Sequence, residues 1–112
     1  MESMRIQFIG IEDDGLASRH SGARGNLGGN ALEAMQMFEL ALYIEEKHFP
    51  EGNFVEETIL HTDDEDMVRV PQNTEVKITV TGNEAQKILE FVKRTARGAA
   101  LWLAAGQHFH KI

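Results

Sequence analysis

The sequence predicts an α+β fold in the order β-α-β-β-β-α, with an optional short C-terminal strand, in which two helices cover one face of an antiparallel sheet. Three observations carry that expectation. Glu75 to Thr81 (EVKITVT) alternates strictly, with Val76, Ile78 and Val80 on one side and Lys77, Thr79 and Thr81 on the other, as a half-buried strand must. Asn30 is a favoured N-cap residue with Glu33 three positions later, and it opens a stretch in which Ala31, Ala34, Met35, Phe38, Ala41 and Leu42 recur at helical spacing. Thr81 with Glu84, and Asn83 with Gln86, offer two capping boxes ahead of a second helical stripe, Ala85, Ile88, Leu89, Val92, Ala96, Ala99 and Leu103.

In chain order, Met4 to Ile11 (MRIQFIGI) reads as the first strand, with Ile6 and Phe8 turned inward. The first helix follows the loop that ends at Asn30, and Pro50, Gly52 and Asn53 stop it. Phe54 to Thr62 (FVEETILHT) is the second strand. The acidic group Asp63 to Asp66 turns the chain into a short strand over Met67 to Val70, and Pro71, Gln72 and Asn73 turn it again into Glu75 to Thr81. The second helix runs through Gly98 to about Ala105, where Gly106 is expected to end it. Gln107 to Ile112 can add an edge strand.

A chain of 112 residues forms one domain, 1–112, with a single modest core. No apolar run reaches the roughly 18 residues a membrane span needs, and no basic segment followed by an apolar core marks export, so a cytoplasmic location is expected. Cysteine is absent, which excludes disulfides, thiolate nucleophiles and cysteine-based zinc sites. The net charge of −7 is unevenly spread. Lys47 is the lone Lys or Arg between Glu39 and Asp66, whereas Lys87, Lys93, Arg94, Arg97 and Lys111 outweigh the acids after Asn83. Such polarity excludes nucleic-acid binding by a broad basic face and permits an acidic face that meets a basic partner.

The segment between Ile11 and Ala31 offers little to bury, and structureless loops beyond about 12 to 15 residues are usually functional or disordered. Arg19, His20, Arg24, Gly25, Gly28, Gly29 and Asn30 make a glycine-rich, partly basic candidate for a nucleotide or phosphate ligand, because backbone amides at a helix start favour anions. Neither phosphate-loop nor dinucleotide spacing is present: Asn30 and Ala31 follow Gly29 where a lysine and a hydroxyl residue belong. A mobile loop or a partner-binding loop explains the same composition.

His108 and His110 form an H-x-H pair that shares one face of a strand, but no third ligand lies at a metal-site spacing, so no metal and no other cofactor is expected. Ser18 and Ser21 have only the adjacent His20 as a base, which is not triad geometry. The DDED turn lacks the register of a calcium loop and reads as a solvated hairpin tip. Leu32, Met37, Leu40 and Ile44 widen the apolar stripe of the first helix beyond one packing face. Either all of it is core, or a second copy of the chain covers Met35, Met37, Leu40 and Ile44. Trp102 closes the core beneath the sheet or anchors that same homodimer interface.

With no catalytic constellation, the sequence leads to a small non-enzymatic binding or regulatory protein. Its partner would be a protein or ribonucleoprotein with a basic surface, met by Glu56, Glu57, Asp63, Asp64, Glu65 and Asp66. By size and charge alone it suits the class of small phage-encoded inhibitors. The alternatives are a nucleotide- or phosphate-binding protein that uses the glycine-rich loop Arg19 to Asn30 to sequester its ligand or, with His20, to hydrolyse it, and a structural subunit of a homo-oligomer.

Overall fold

The computed structural model describes residues 1–11, 30–62 and 73–112. Strand β1 spans Glu2–Ile9, helix α1 Ala31–Glu45, strand β2 Phe54–Thr62, strand β3 Asn73–Thr81, helix α2 Ala85–Trp102 and strand β4 Gly106–Lys111; a single 3-10 turn, Glu46–His48, extends α1. The sheet order is β2-β3-β1-β4, and every neighbouring pair is antiparallel. Strands β1 and β2 therefore run the same way with β3 between them, the split β-α-β arrangement of ferredoxin-like domains. The protein is α+β, as the sequence predicts, and the optional last strand is present. The short strand expected over Met67 to Val70 and the turn at Asp63 to Asp66 lie outside the described residues.

Alternation along the two central strands builds the core. Met4, Ile6 and Phe8 of β1 and Val76, Ile78 and Val80 of β3 turn inward, and α1 answers with Ala31, Ala34, Met35, Phe38 and Leu42. The Phe8 and Phe38 rings meet at 5.7 Å with a 48° tilt, one of the off-parallel geometries aromatic pairs favour. Helix α2 contributes Ile88, Leu89, Val92 and Ala96, so both helices lie on the same sheet face. Thr74 is the buried polar residue of this layer, and its Oγ1 donates to the Ala31 carbonyl at 3.1 Å, tying the β3 start to the α1 start. Strand β1 spans Glu2 to Ile9 rather than Met4 to Ile11, because its register against β3 pairs Glu2 with Val80 and Ile9 with Asn73.

Both ends of α2 differ from expectation. Its N-cap is Glu84, without a side-chain cap of its own. Instead Asn53, from the turn before β2, accepts the Glu84 amide at 2.9 Å, so a remote residue does the work assigned to Thr81 or Asn83. Gly98 does not break the helix. Termination falls to Ala104, not Gly106: Ala104 takes φ 56°, and the Ala105 amide donates back to the Ala100 carbonyl at 2.8 Å. Gly106 is then free to begin β4.

Candidate functional site

Among the described residues, no strand pairs with the outer edge of β2, the longest exposed edge of the sheet. Its apolar residues do not alternate cleanly: Phe54, Ile59 and Leu60 are all exposed, Ile59 at 51%, and a register shift between Ile59 and His61 disturbs the ladder. A long apolar edge that no described strand pairs with is a template for another strand. Helix α1 lies beside this edge. Its core positions fix its rotation, and the helical repeat then carries Leu40, Tyr43 and Ile44 outward, with Tyr43 60% exposed under the Lys47 ammonium, 4.7 Å from the ring centroid.

Of the interface residues read from the sequence, Leu40 and Ile44 are exposed, Met37 is partly covered, and Met35 is 4% exposed and belongs to the core. The periodicity marks the apolar positions but cannot tell which flank of an over-wide stripe faces the sheet. The sequence reading does not single out Tyr43, Phe54, Ile59 and Leu60, although the unalternating pattern of FVEETILHT is the signal that β2 has apolar groups on both faces. Trp102 does not close the core; it is the last residue of α2 and is 79% exposed. It borders a shallow groove between the helices, about 440 Å³, with Met37, Ala41 and Gly98. At the other end of the helix pair, Phe49 and Phe91 meet edge to face at 6.0 Å beside a groove of about 410 Å³.

Where β2 meets α1, Glu39, Tyr43, Glu46, Val55 and Glu57 line a pocket of about 270 Å³. Glu56 points to solvent, but Glu57 turns under α1 and is withdrawn from the outward acidic surface expected of it. Burial, then a hydrogen bond with the Glu39 carboxyl, then the charges of Glu39 and Glu46 push the Glu57 carboxyl up from 4.5 to about 8. Asp63 to Asp66 lie outside the described residues.

The open face of the sheet carries a polar network. His110 Nε2 lies 3.2 Å from Gln7 Oε1, Gln7 Nε2 donates to Asn73 Oδ1 at 3.0 Å, and Arg5 approaches Glu75 at 3.7 Å. His108 and His110 do share this face, with ring centroids 6.3 Å apart. No group of three or more His, Cys, Asp or Glu side chains suited to a metal ion occurs among the described residues. Of the proposed anion loop, Asn30 is described, and its Oδ1 accepts the Glu33 amide at 2.9 Å as an N-cap. Arg19, His20, Arg24, Gly25, Gly28 and Gly29 lie outside the described residues. No described helix is long and apolar enough to cross a membrane.

No protein-family model matches the sequence, and no curated protein sequence matches it significantly. Solved structures do match the fold. The chain is similar to AtUAH, determined in complex with glyoxylate, at 14% identity and TM-score 0.69 over 99% of this chain and 26% of that one. It is similar to the aminobenzoyl-glutamate utilization protein of Klebsiella pneumoniae at 19% identity and TM-score 0.64, over 99% of this chain and 27% of that one. The YXEP protein of Bacillus subtilis, a dinuclear metal-binding peptidase of the M20 family, matches at 16% identity and TM-score 0.53, over 97% and 25%. The chain thus spans about a quarter of the length of the structures it resembles. These likenesses correct the expectation of an inhibitor of phage type: the same fold recurs within amidohydrolase and peptidase chains, and acidity with small size was too general a signal to identify a role. The described residues do not fit a dinuclear metal centre, since no three potential ligands converge.

Proposed function

We propose that this chain is the pairing module of an amide-hydrolysing enzyme of the amidohydrolase and peptidase type, holding two copies together as a homodimer. The observation that carries this reading is that nearly the whole chain, 99% of it, superposes on about a quarter of chains such as a putative amidohydrolase/peptidase of Burkholderia cenocepacia and a hydantoinase/carbamoylase-family amidase of Burkholderia multivorans. The same unit is therefore a recurring part of such enzymes. The pairing role rests on the β2 edge and on the apolar flank of α1 beside it. Two β2 edges joined antiparallel about a two-fold axis would continue the sheet from four strands to eight and bring Leu40, Tyr43 and Ile44 of one protomer against its partner.

Sedimentation velocity over a concentration series tests this. The wild-type protein is expected at twice the 12.6 kDa chain mass, and Ile59→Lys, which places a charge on the edge, is expected to return it to the monomer while leaving its circular dichroism unchanged. A wild-type protein that stays monomeric up to concentrations of about 100 μM, a range where even weak specific dimers form, overturns the pairing role.

A further inference from the structure

The pocket between α1 and β2 contains a contradiction that ordinary ionisation cannot resolve. Glu57 Oε2 is buried and no ordinary donor reaches it, and the polar side chains lining the pocket with it are the carboxyls of Glu39 and Glu46 and the Tyr43 side chain. An ionised carboxylate only accepts hydrogen bonds, so two of them cannot satisfy one another. A proton held between them can, because one carboxyl then donates to the other.

We propose that Glu57 and Glu39 form a proton-sharing clasp that fastens α1 to strand β2 and makes the surface built from those two elements sensitive to pH. The clasp itself stands on the pocket; its effect on association rests on the pairing reading above. The charged and titratable groups facing Glu57 are few. From α1 and its 3-10 extension come Glu39, Tyr43 and Glu46, and the Lys47 ammonium is engaged over the Tyr43 ring. The neighbouring strand β3 places Ile78 opposite Glu57, flanked on the inward face by Val76 and Val80, which are all apolar. No described cation reaches the pair among these, so loss of the shared proton leaves like charges in a half-buried pocket. Separating α1 from β2 relieves them, and that separation deforms the flank on which Leu40, Tyr43 and Ile44 sit.

The pH window follows from the direction of the shift. Glu57 titrates near 4.5 in an unfolded chain and near 8 in the fold. Between those values the folded protein holds a proton that the unfolded chain has released, so stability is greatest at the acidic end of the window and falls as pH rises towards about 8. Above it the dependence ends.

The experiment compares thermal unfolding of the wild type, Glu57→Gln and Glu39→Gln at steps from pH 5 to pH 9, with sedimentation velocity in the same buffers. Glutamine cannot ionise, and its amide donates to the remaining carboxylate at every pH. The melting temperature of Glu57→Gln is expected to gain on that of the wild type by several degrees as pH rises from 5 to 8.5, and Glu39→Gln is expected to gain in the same direction. The wild-type dimer dissociation constant is expected to rise about tenfold over that range, a change of 1.4 kcal/mol, while that of Glu57→Gln holds constant. Parallel melting profiles for wild type and both variants overturn the clasp. Diverging profiles in a protein that is monomeric at every pH uphold the clasp and overturn pairing. Diverging profiles with an unchanging dimer overturn the coupling between them.

Discussion

Replacing Asn53 by alanine tests whether one turn residue secures the start of α2. Asn53 Oδ1 accepts the Glu84 amide at 2.9 Å, and its Nδ2 donates to the Pro50 carbonyl at 3.0 Å and to Asn83 Oδ1 at 3.3 Å. The first bond is equivalent to an N-cap, whose loss typically costs about 1 kcal/mol and up to about 2. The Nδ2 bonds, a third of which reaches the Glu51 carbonyl at 3.4 Å, are solvent-exposed and share two protons, which together add about 1 kcal/mol at the low end of net hydrogen-bond values. The substitution is therefore expected to cost about 2 kcal/mol. For a chain of this size that lowers the melting temperature by roughly 8 °C. Urea denaturation followed by circular dichroism reads the effect as a lower midpoint at unchanged slope. Asn53→Asp keeps the acceptor beside the positive end of the helix and is expected to recover most of the loss. Asn83→Ala removes only the 3.3 Å contact and is expected to cost no more than about 0.5 kcal/mol. Equal losses in Asn53→Ala and Asn83→Ala would refute the argument, because the Glu84 amide would then not depend on Asn53.

Three further substitutions test the packing. Gly82 has φ 135°, and a Cβ there would run into the Asn53 side chain, so Gly82→Ala is expected to lose about 2 to 3 kcal/mol in the same urea assay. Gly98 sits in mid-helix, where an added Cβ would meet no atom within 4 Å outside its own helix turn, and Gly98→Ala is expected to raise the melting temperature, gaining up to about 1 kcal/mol. Phe38 is fully buried against Phe8, and Phe38→Ala is expected to cost about 3 to 5 kcal/mol, measured by equilibrium unfolding.

The elements with one buried face were legible from residue types alone. Val76, Ile78 and Val80 alternate because β3 is central and packs on one side, and Ala31, Ala34, Phe38 and Leu42 repeat because α1 buries one flank. What escaped depends on partners distant in sequence. Local capping boxes predict the start of α2, but the Glu84 amide finds its acceptor 31 residues away in Asn53. Glycine's tolerance of positive φ predicts the helix end at Gly106, whereas Ala104 adopts that φ beside the Ala105 to Ala100 hydrogen bond. Glu57 read as one more surface acid in an acidic stretch. Its inward turn under α1 follows from its phase with Val55 along β2, and nothing local distinguishes it from Glu56.

If two copies meet along the outer edge of β2, which no strand pairs with among the described residues, the backbone amides of that edge report it. Hydrogen exchange of the backbone amides, followed by NMR at a low and a high protein concentration, tests it most directly, since an edge amide is protected only when another strand accepts from it. The outward amides of Phe54–Thr62 are expected to gain protection as concentration rises, while those on the outer edge of β4, Gly106–Lys111, keep their rates. Concentration-independent exchange along β2, or new protection confined to β4, would contradict the account.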